Sequence, residues 1–358
     1  MLITKPAVFI VGDNYQIMTC VDRAELIWVK VGDKEYFDAS NGVMRTGSLF
    51  HSVSVPKEAL DNAGGYTVYE REMIERKPYF SVTGEVTEQY FSFKPVLTKG
   101  EIRAYHIADA HNRIESPIKA AKAFGEIDFL ILNGDLPDSS SSLKNIENVY
   151  ILAGEITGGN IPVIFSRGNH DMRGICAENF ADCTPTDNGK SYFTFSLGNI
   201  WGIVLDCAED KPDSHEEYGF TVACHSFREA QTDFIKNIVS KKPYEADGIE
   251  KRVVIVHNPF TDKKKAPFDI EGEIYAEWSR LLKEYIKPDV MICGHKHICG
   301  VFPVGDILDY YGQPCAIVVG AKPEGEKFTG CGYVFSDDGI KVSFTSSTGE
   351  CSEFINVE

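Results

Sequence analysis

The chain has 358 residues, 43% of them hydrophobic and 25% charged, and carries a formal net charge of −17. Such a field repels nucleic-acid backbones unless basic side chains gather locally, and the one lysine run, Lys263 to Lys265, reads as a solvated loop. No apolar stretch approaches the roughly 18 residues that a membrane-crossing helix needs, and the length exceeds what one hydrophobic core usually organises, which predicts two domains.

Met1 to Ile10 holds one lysine and a short apolar run broken by Pro6, without the basic start, apolar centre and cleavage site of a leader. A cytoplasmic location is therefore expected, or a secreted or periplasmic one if a leader has been removed. As far as Phe93 the sequence reads as strands: Ala7–Val11, Tyr15–Cys20, Glu25–Val31, Ser48–Val55, Gly65–Glu72 and Tyr90–Phe93. Gly12-Asp13-Asn14, Asn41-Gly42 and Gly64-Gly65 supply turns between them. This texture predicts a small all-β sandwich over 1–97, with Lys94 to Gly100 as a linker.

From residue 98 the pattern alternates. Strands at Ile102–Ala108, Phe129–Leu132, Pro162–Phe165, Ile200–Leu205, Val253–Val256 and Val290–Cys293 are interleaved with helices at Pro117–Phe124, Leu143–Glu155, Phe227–Val239 and Ile274–Ile286. Ser116 before Pro117 reads as a cap and first turn. The expectation for 98–358 is an α/β layered domain, closed by a hairpin through Asp337-Asp338-Gly339. The 10 cysteines include no Cys-x-x-Cys pair and read as reduced, mostly buried thiols. Ser139–Ser142 reads as solvated loop, His215 and His225 as surface histidines, and Trp201 and Trp278 as packing residues.

Chemistry is written where strands end. Asp109-Ala110-His111, Gly134-Asp135, Gly168-Asn169-His170-Asp171, His257 and Gly294-His295-Lys296-His297 each follow an apolar strand. Alone, a Gly-Asp is an ordinary turn and a lone histidine usually a hydrogen-bonded core residue, whereas Gly168-Asn169-His170-Asp171 and Gly294-His295-Lys296-His297 are uncommon after a buried strand. Five in series differ, because strands of an open α/β sheet deliver their C-terminal ends to one crevice. Imidazoles and carboxylates without a thiolate cluster suit borderline ions such as Zn, Mn and Fe. A carboxylate between two ions lets them clamp both the attacking and leaving oxygens of an in-line displacement.

That order of motifs resembles the signature of the calcineurin-like metallophosphoesterases over about Ile102 to Phe335. The resemblance implies a four-layer α-β-β-α sandwich, here preceded by a small fibronectin/Ig-like sandwich domain. It implies one divalent ion (Mn, Fe or Zn) held by Asp109, His111 and His297, and a second held by Asn169, His257 and His295, with Asp135 bridging. His170 would be the free imidazole that orients the substrate or protonates its leaving group, Asp171 would orient that ring, and Arg167 resembles a phosphate-clamping arginine. The implied activity is hydrolysis of a phosphomonoester or small phosphodiester by metal-activated hydroxide. Nuclease and non-catalytic scaffold are the alternatives, and no protein partner is evident.

The order of domains is similar to that of purple acid phosphatases, but two ligand positions depart from them. His111 stands where they have glycine, and Leu136-Pro137-Asp138-Ser139 follows Gly-Asp where they carry a ligand tyrosine. Ser139 and Ser140 likewise replace the arginine and glycine of the protein Ser/Thr phosphatases.

Overall fold

Runs of aliphatic and β-branched residues without polar alternation form strands covered on both faces. Phe129–Asn133, Pro162–Ser166, Ile200–Leu205 and Val290–Cys293 are of this kind, each buried at every position. A computed structural model, which describes residues 1–358, places them in the middle of two mixed sheets. In the larger sheet Ile102–Ile107, Phe129–Asn133 and Pro162–Ser166 run parallel. In the six-stranded sheet Ile200–Leu205, Lys251–Val256, Val290–Cys293 and Ile317–Gly320 do the same.

The period-2 pleat sorts the side chains of each strand into two cores. Phe129 and Ile131 face inward to meet Val204, Ile255 and Ile292 of the second sheet. Leu130 and Leu132 face outward, against helices Glu115–Phe124 and Leu143–Thr157. On the opposite outer face, Ile203, Val254 and Val256 pack on Ile235, Trp278 and Leu281 of helices Cys224–Lys241 and Gly272–Leu281. The result is the expected four layers, helix, sheet, sheet, helix. Trp201 and Trp278 are buried as anticipated, and the turn before Gly339 closes a hairpin in which Ser336 pairs with Gly339.

The N-terminal region is all-β apart from helix Lys57–Ala63, seven residues between two of the expected strands. Apart from a two-residue pairing of Ala39–Ser40 with Val43–Met44, its strands divide between two sheets. Glu25–Val31, Lys34–Phe37, Gly65–Glu75 and Val82–Ser92 form a sheet of their own. Ala7–Val11, Asn14–Cys20 and Phe50–Pro56 instead extend the larger sheet, through the parallel pairing of Ala7–Val11 with Pro162–Ser166. Ile27, Val29 and Val68 pack with Ile17, Val53 and Val55, so a sandwich is present and shares one of its sheets with the α/β region. The division expected at residue 97 is thus crossed by backbone hydrogen bonds. The reason lies in Ala7–Val11, which is apolar throughout and buried at all five positions, and so needs cover on both faces.

Two local readings change. The second helix begins at Glu115 rather than at Pro117, with Ile114 in the capping position. Ser140 is fully buried rather than solvated, its hydroxyl donating to the Asp171 carbonyl at 2.7 Å. The ten cysteines are unpaired, and seven of them are buried.

Arg228 is the largest charged side chain in the interior, with 0% of its surface exposed. Its Nε donates to the Cys207 carbonyl at 2.8 Å, Nη1 to Glu271 Oε1 at 3.0 Å, and Nη2 to the Glu209 carbonyl. Truncation leaves two buried carbonyls without their donor and Glu271 with only the exposed His225 ring as a partner. Arg228→Ala is therefore expected to cost about 3–5 kcal/mol in urea unfolding; a loss below about 1 kcal/mol would show the network to be dispensable.

Candidate metal centre

The loops that follow the central strands are tied together before any side chain is considered. Asp109 N–H donates to the Gly134 carbonyl at 3.1 Å, His111 N–H to Asp135 at 3.0 Å, and Gly294 N–H to His257 at 2.8 Å. Gly134 sits at φ +78°, where a Cβ would strike the backbone nitrogen of Gly168, and a Cβ on Gly168 would strike the Asp135 carboxylate. The glycines of these motifs therefore set how closely the loops approach. Asp109, His111, Asp135, His295 and His297 all have positive φ, between 45° and 66°. A non-glycine residue pays of order 1–3 kcal/mol for such a conformation, and five together mark a functional site.

These strained turns bring the side chains into two groups. Asp109, His111 and His297 have ligand atoms within 4.8 Å of one another, and so do Asp135, His257 and His295. The groups adjoin: His257 Nε2 lies 3.1 Å from Asp135 Oδ2 and 3.7 Å from Asp109 Oδ1, and His297 Nε2 lies 3.3 Å from Asp109 Oδ1. Asn169 Oδ1 lies 3.0 Å from His295 Nδ1. The seven side chains expected from the sequence as ligands thus converge in one place.

Their hydrogen bonds aim them. His257 Nδ1–H donates to the Asn133 carbonyl at 2.6 Å, which leaves Nε2 to face the two carboxylates. Burial works against a charge on His257, but Asp135 and Asp109 outweigh it and raise the imidazole to about 10. Burial likewise opposes ionisation of Asp135, yet the His257 and His170 rings hold its carboxyl below the usual carboxylate range. His295 is held well below the ordinary imidazole value by burial and by the Lys264 charge. The site thus favours positive charge between Asp109, Asp135 and His257. Asp109 Oδ1 is buried with no hydrogen-bond partner, a costly state in a protein interior, and His257 Nε2 meets only the Asp135 and Asp109 carboxylates. Buried oxygen and nitrogen donors that point at one another fit divalent cations.

A sequence-family profile described as calcineurin-like phosphoesterase matches residues 102–299, more than half of the chain. The chain belongs to the calcineurin-like phosphoesterases. It is a metal-dependent phosphoric ester hydrolase, and divalent metal ions are the cofactors of this family. Among solved structures, a purple acid phosphatase from seeds of yellow lupin (Lupinus luteus) superposes with a TM-score of 0.62 at 12% identity, covering 98% of this chain and 73% of that one. A structure of PhoD superposes with a TM-score of 0.54 at 12% identity, covering 99% and 91%. At such identity the likeness is one of fold, and it includes the N-terminal strands. No curated protein matches the chain in sequence.

Around the phosphoesterase centre, the three residues expected to act beside the ligands are placed differently from one another. His170 stands at the rim, 31% exposed, with Nε2 4.0 Å from Asp135 Oδ2 and outside both ligand groups. Its Nδ1–H donates to the Asp138 carbonyl at 2.8 Å. Asp171 was expected to orient that ring and does not touch it. It is fully buried, and its Oδ2 accepts from Gly168 N–H at 2.7 Å and Asp135 N–H at 3.2 Å, bracing the two loops against each other. Burial and then the Asp135 charge push its carboxyl up to about 7. Arg167 turns away from the rim: its Nε donates to Asp206 at 2.7 Å and its guanidinium lies 5.3 Å from the Phe227 ring centroid.

Other residues that the sequence reading passed over stand close by. Arg173 Nη1 is 3.3 Å from His170 Nε2. Asp138, beyond its carbonyl, places a carboxylate oxygen 3.1 Å from His111 Nδ1. Lys264, read as part of a solvated run, turns inward while Lys263 and Lys265 stay exposed. Its Nζ donates to Asn258 Oδ1 at 2.8 Å, and burial pulls its pKa down. Lys264 is the middle residue of a three-residue cationic run, and one inward residue in three is a pattern that loop composition does not encode.

Proposed function

We propose that the chain hydrolyses a phosphomonoester or a small phosphodiester with two divalent ions, Mn, Fe or Zn. Asp109, His111 and His297 would hold one ion, Asn169, His257 and His295 the other, and Asp135 would bridge them. The convergence of two donor groups that adjoin through Asp135, His257 and Asp109 is the observation that supports this reading most. When bound, such ions withdraw charge from phosphate oxygens and make water more acidic.

The rest falls to the chain's own residues. Asn133 holds the His257 tautomer, and Asp171 keeps the Asp135 and Gly168 loops in register. The phosphate would enter a cleft of about 530 Å³ whose walls include His111, Asp138, His170, His297 and Arg113. There His170, exposed at the rim, would orient the ester or give a proton to its leaving oxygen. A chain of net charge −17 can take an anion at this point because the cationic groups are local and the repelling charge is spread over the surface.

The test is turnover by protein loaded separately with Mn, Fe and Zn. Phosphate or p-nitrophenol release from generic mono- and diesters is expected, and a chelator should abolish it. Digestion of DNA or RNA in preference to small esters would make the chain a nuclease. No turnover of any ester by fully loaded protein would leave a binding scaffold.

A further inference from the structure

Beside the metal-centre cleft lies a second and larger concavity of about 720 Å³, and Arg173 stands in the wall between them. Two of the three guanidinium nitrogens of Arg173 are committed. Nε donates to Glu209 Oε1 at 2.8 Å and Nη2 to Glu209 Oε2 at 2.9 Å, a two-pronged pair. Glu209 is 1% exposed and is itself fixed by the Tyr218 hydroxyl, which donates to Oε2 at 3.0 Å. The fork is therefore immobile, and its one remaining corner, Nη1, is presented to the rim. Its partner there is His170 Nε2, whose ring already gives its Nδ1 hydrogen to the Asp138 carbonyl. In that tautomer Nε2 is a neutral acceptor. A phosphate oxygen at the same corner would pair two ionised partners, where the imidazole offers the guanidinium only a neutral one.

Resting on the phosphoesterase reading above, we propose that Arg173 binds the substrate's phosphate, and that the concavity behind it receives the alcohol of the ester. By taking Nη1, the phosphate also frees His170 Nε2 from its bond to Arg173. The lining of the concavity describes the alcohol. Met172, Ile175, Val222 and Ala223 give it apolar walls, and Arg167, Glu178, Glu217 and Thr221 are polar groups among them. A small polyol leaves such walls wet, whereas a ring-bearing or otherwise bulky, part-apolar alcohol covers them. The preferred substrate class is thus a phosphate ester of a large, part-apolar alcohol.

The experiment compares wild type, Arg173→Ala and Arg173→Lys, all loaded with Mn. Binding of inorganic phosphate is measured by calorimetry, and KM and kcat are measured on 1-naphthyl phosphate and glycerol 2-phosphate. Arg173→Ala is expected to weaken phosphate binding and raise KM about 10- to 100-fold with unchanged metal content, and Arg173→Lys to recover part of the loss. Phosphate affinity within about 2-fold of wild type in both variants would overturn the assignment, because a bracing role alone leaves that affinity in place. Should the alanine variant fail to fold, the lysine variant carries the same reading. Wild type is expected to favour the naphthyl ester, and Ala223→Trp to reduce its kcat/KM more than that of the glycerol ester; an equal reduction would overturn the placement of the alcohol. Wild type that binds phosphate through Arg173 yet turns over no ester would sink the proposed function and leave the phosphate site standing.

Discussion

Asp135→Asn is expected to lower metal content below two ions per chain and to reduce turnover by about three orders of magnitude, the equivalent of several kcal/mol of lost charge stabilisation. The substitution keeps the side chain's shape. An amide oxygen can still accept the His170 N–H that now reaches Asp135 Oδ1 at 2.8 Å, and the backbone N–H can still donate to Asp171. What changes is charge. Asp109 and Asp135 are the two carboxylates in the donor groups, so the asparagine halves their negative charge. It also removes the larger of the two carboxylate influences that raise His257. Elemental analysis and calorimetric titration with Mn check the result. Two ions retained at wild-type affinity would remove Asp135 from the proposed bridging position.

The convergence of the proposed ligands was legible because their chemistry is local in sequence. A strand's end, a glycine and a carboxylate or imidazole are neighbours in the chain, and sheet topology carries those ends to one edge. The left-handed conformations at Asp109, His111 and Asp135 are the local cost of turning so sharply beside a strand. What surrounds the ligands was less legible, because it depends on where side chains point after the turn. Asp171 follows His170 directly, and adjacency suggested that it held the ring. The 3-10 turn at His170–Met172 sends the two side chains apart, so Asp171 braces Gly168 and Asp135. Arg167 and Arg173 lie on either side of the Gly-Asn-His segment, and composition cannot choose between them. Asp206 and Phe227, distant in sequence, draw Arg167 away, and Glu209 fixes Arg173 at the rim. The shared sheet of the N-terminal region follows the same logic in reverse. Ala7–Val11 announces by its composition that it is covered twice, but its partner at Pro162–Ser166 lies some 150 residues on.

His170→Ala should leave metal content intact while lowering turnover of alkyl phosphates by about two to four orders of magnitude, the usual worth of a positioned proton donor. The separation follows from geometry. The His170 ring belongs to neither donor group, its Nε2 lies 4.0 Å from the Asp135 carboxylate, and its hydrogen-bond partners are the Asp138 carbonyl and Arg173. Its removal therefore takes away neither a proposed ligand nor a buried hydrogen bond within the core. A proton donor matters in proportion to how poor the leaving group is, so the loss should shrink for p-nitrophenyl phosphate, whose leaving oxygen is stable as an anion. A residue that only oriented the phosphate would produce equal losses with both classes of ester. Equal losses would assign His170 to orientation alone, and loss of an ion in the variant would place the imidazole among the ligands and dissolve the division between ligand and acid.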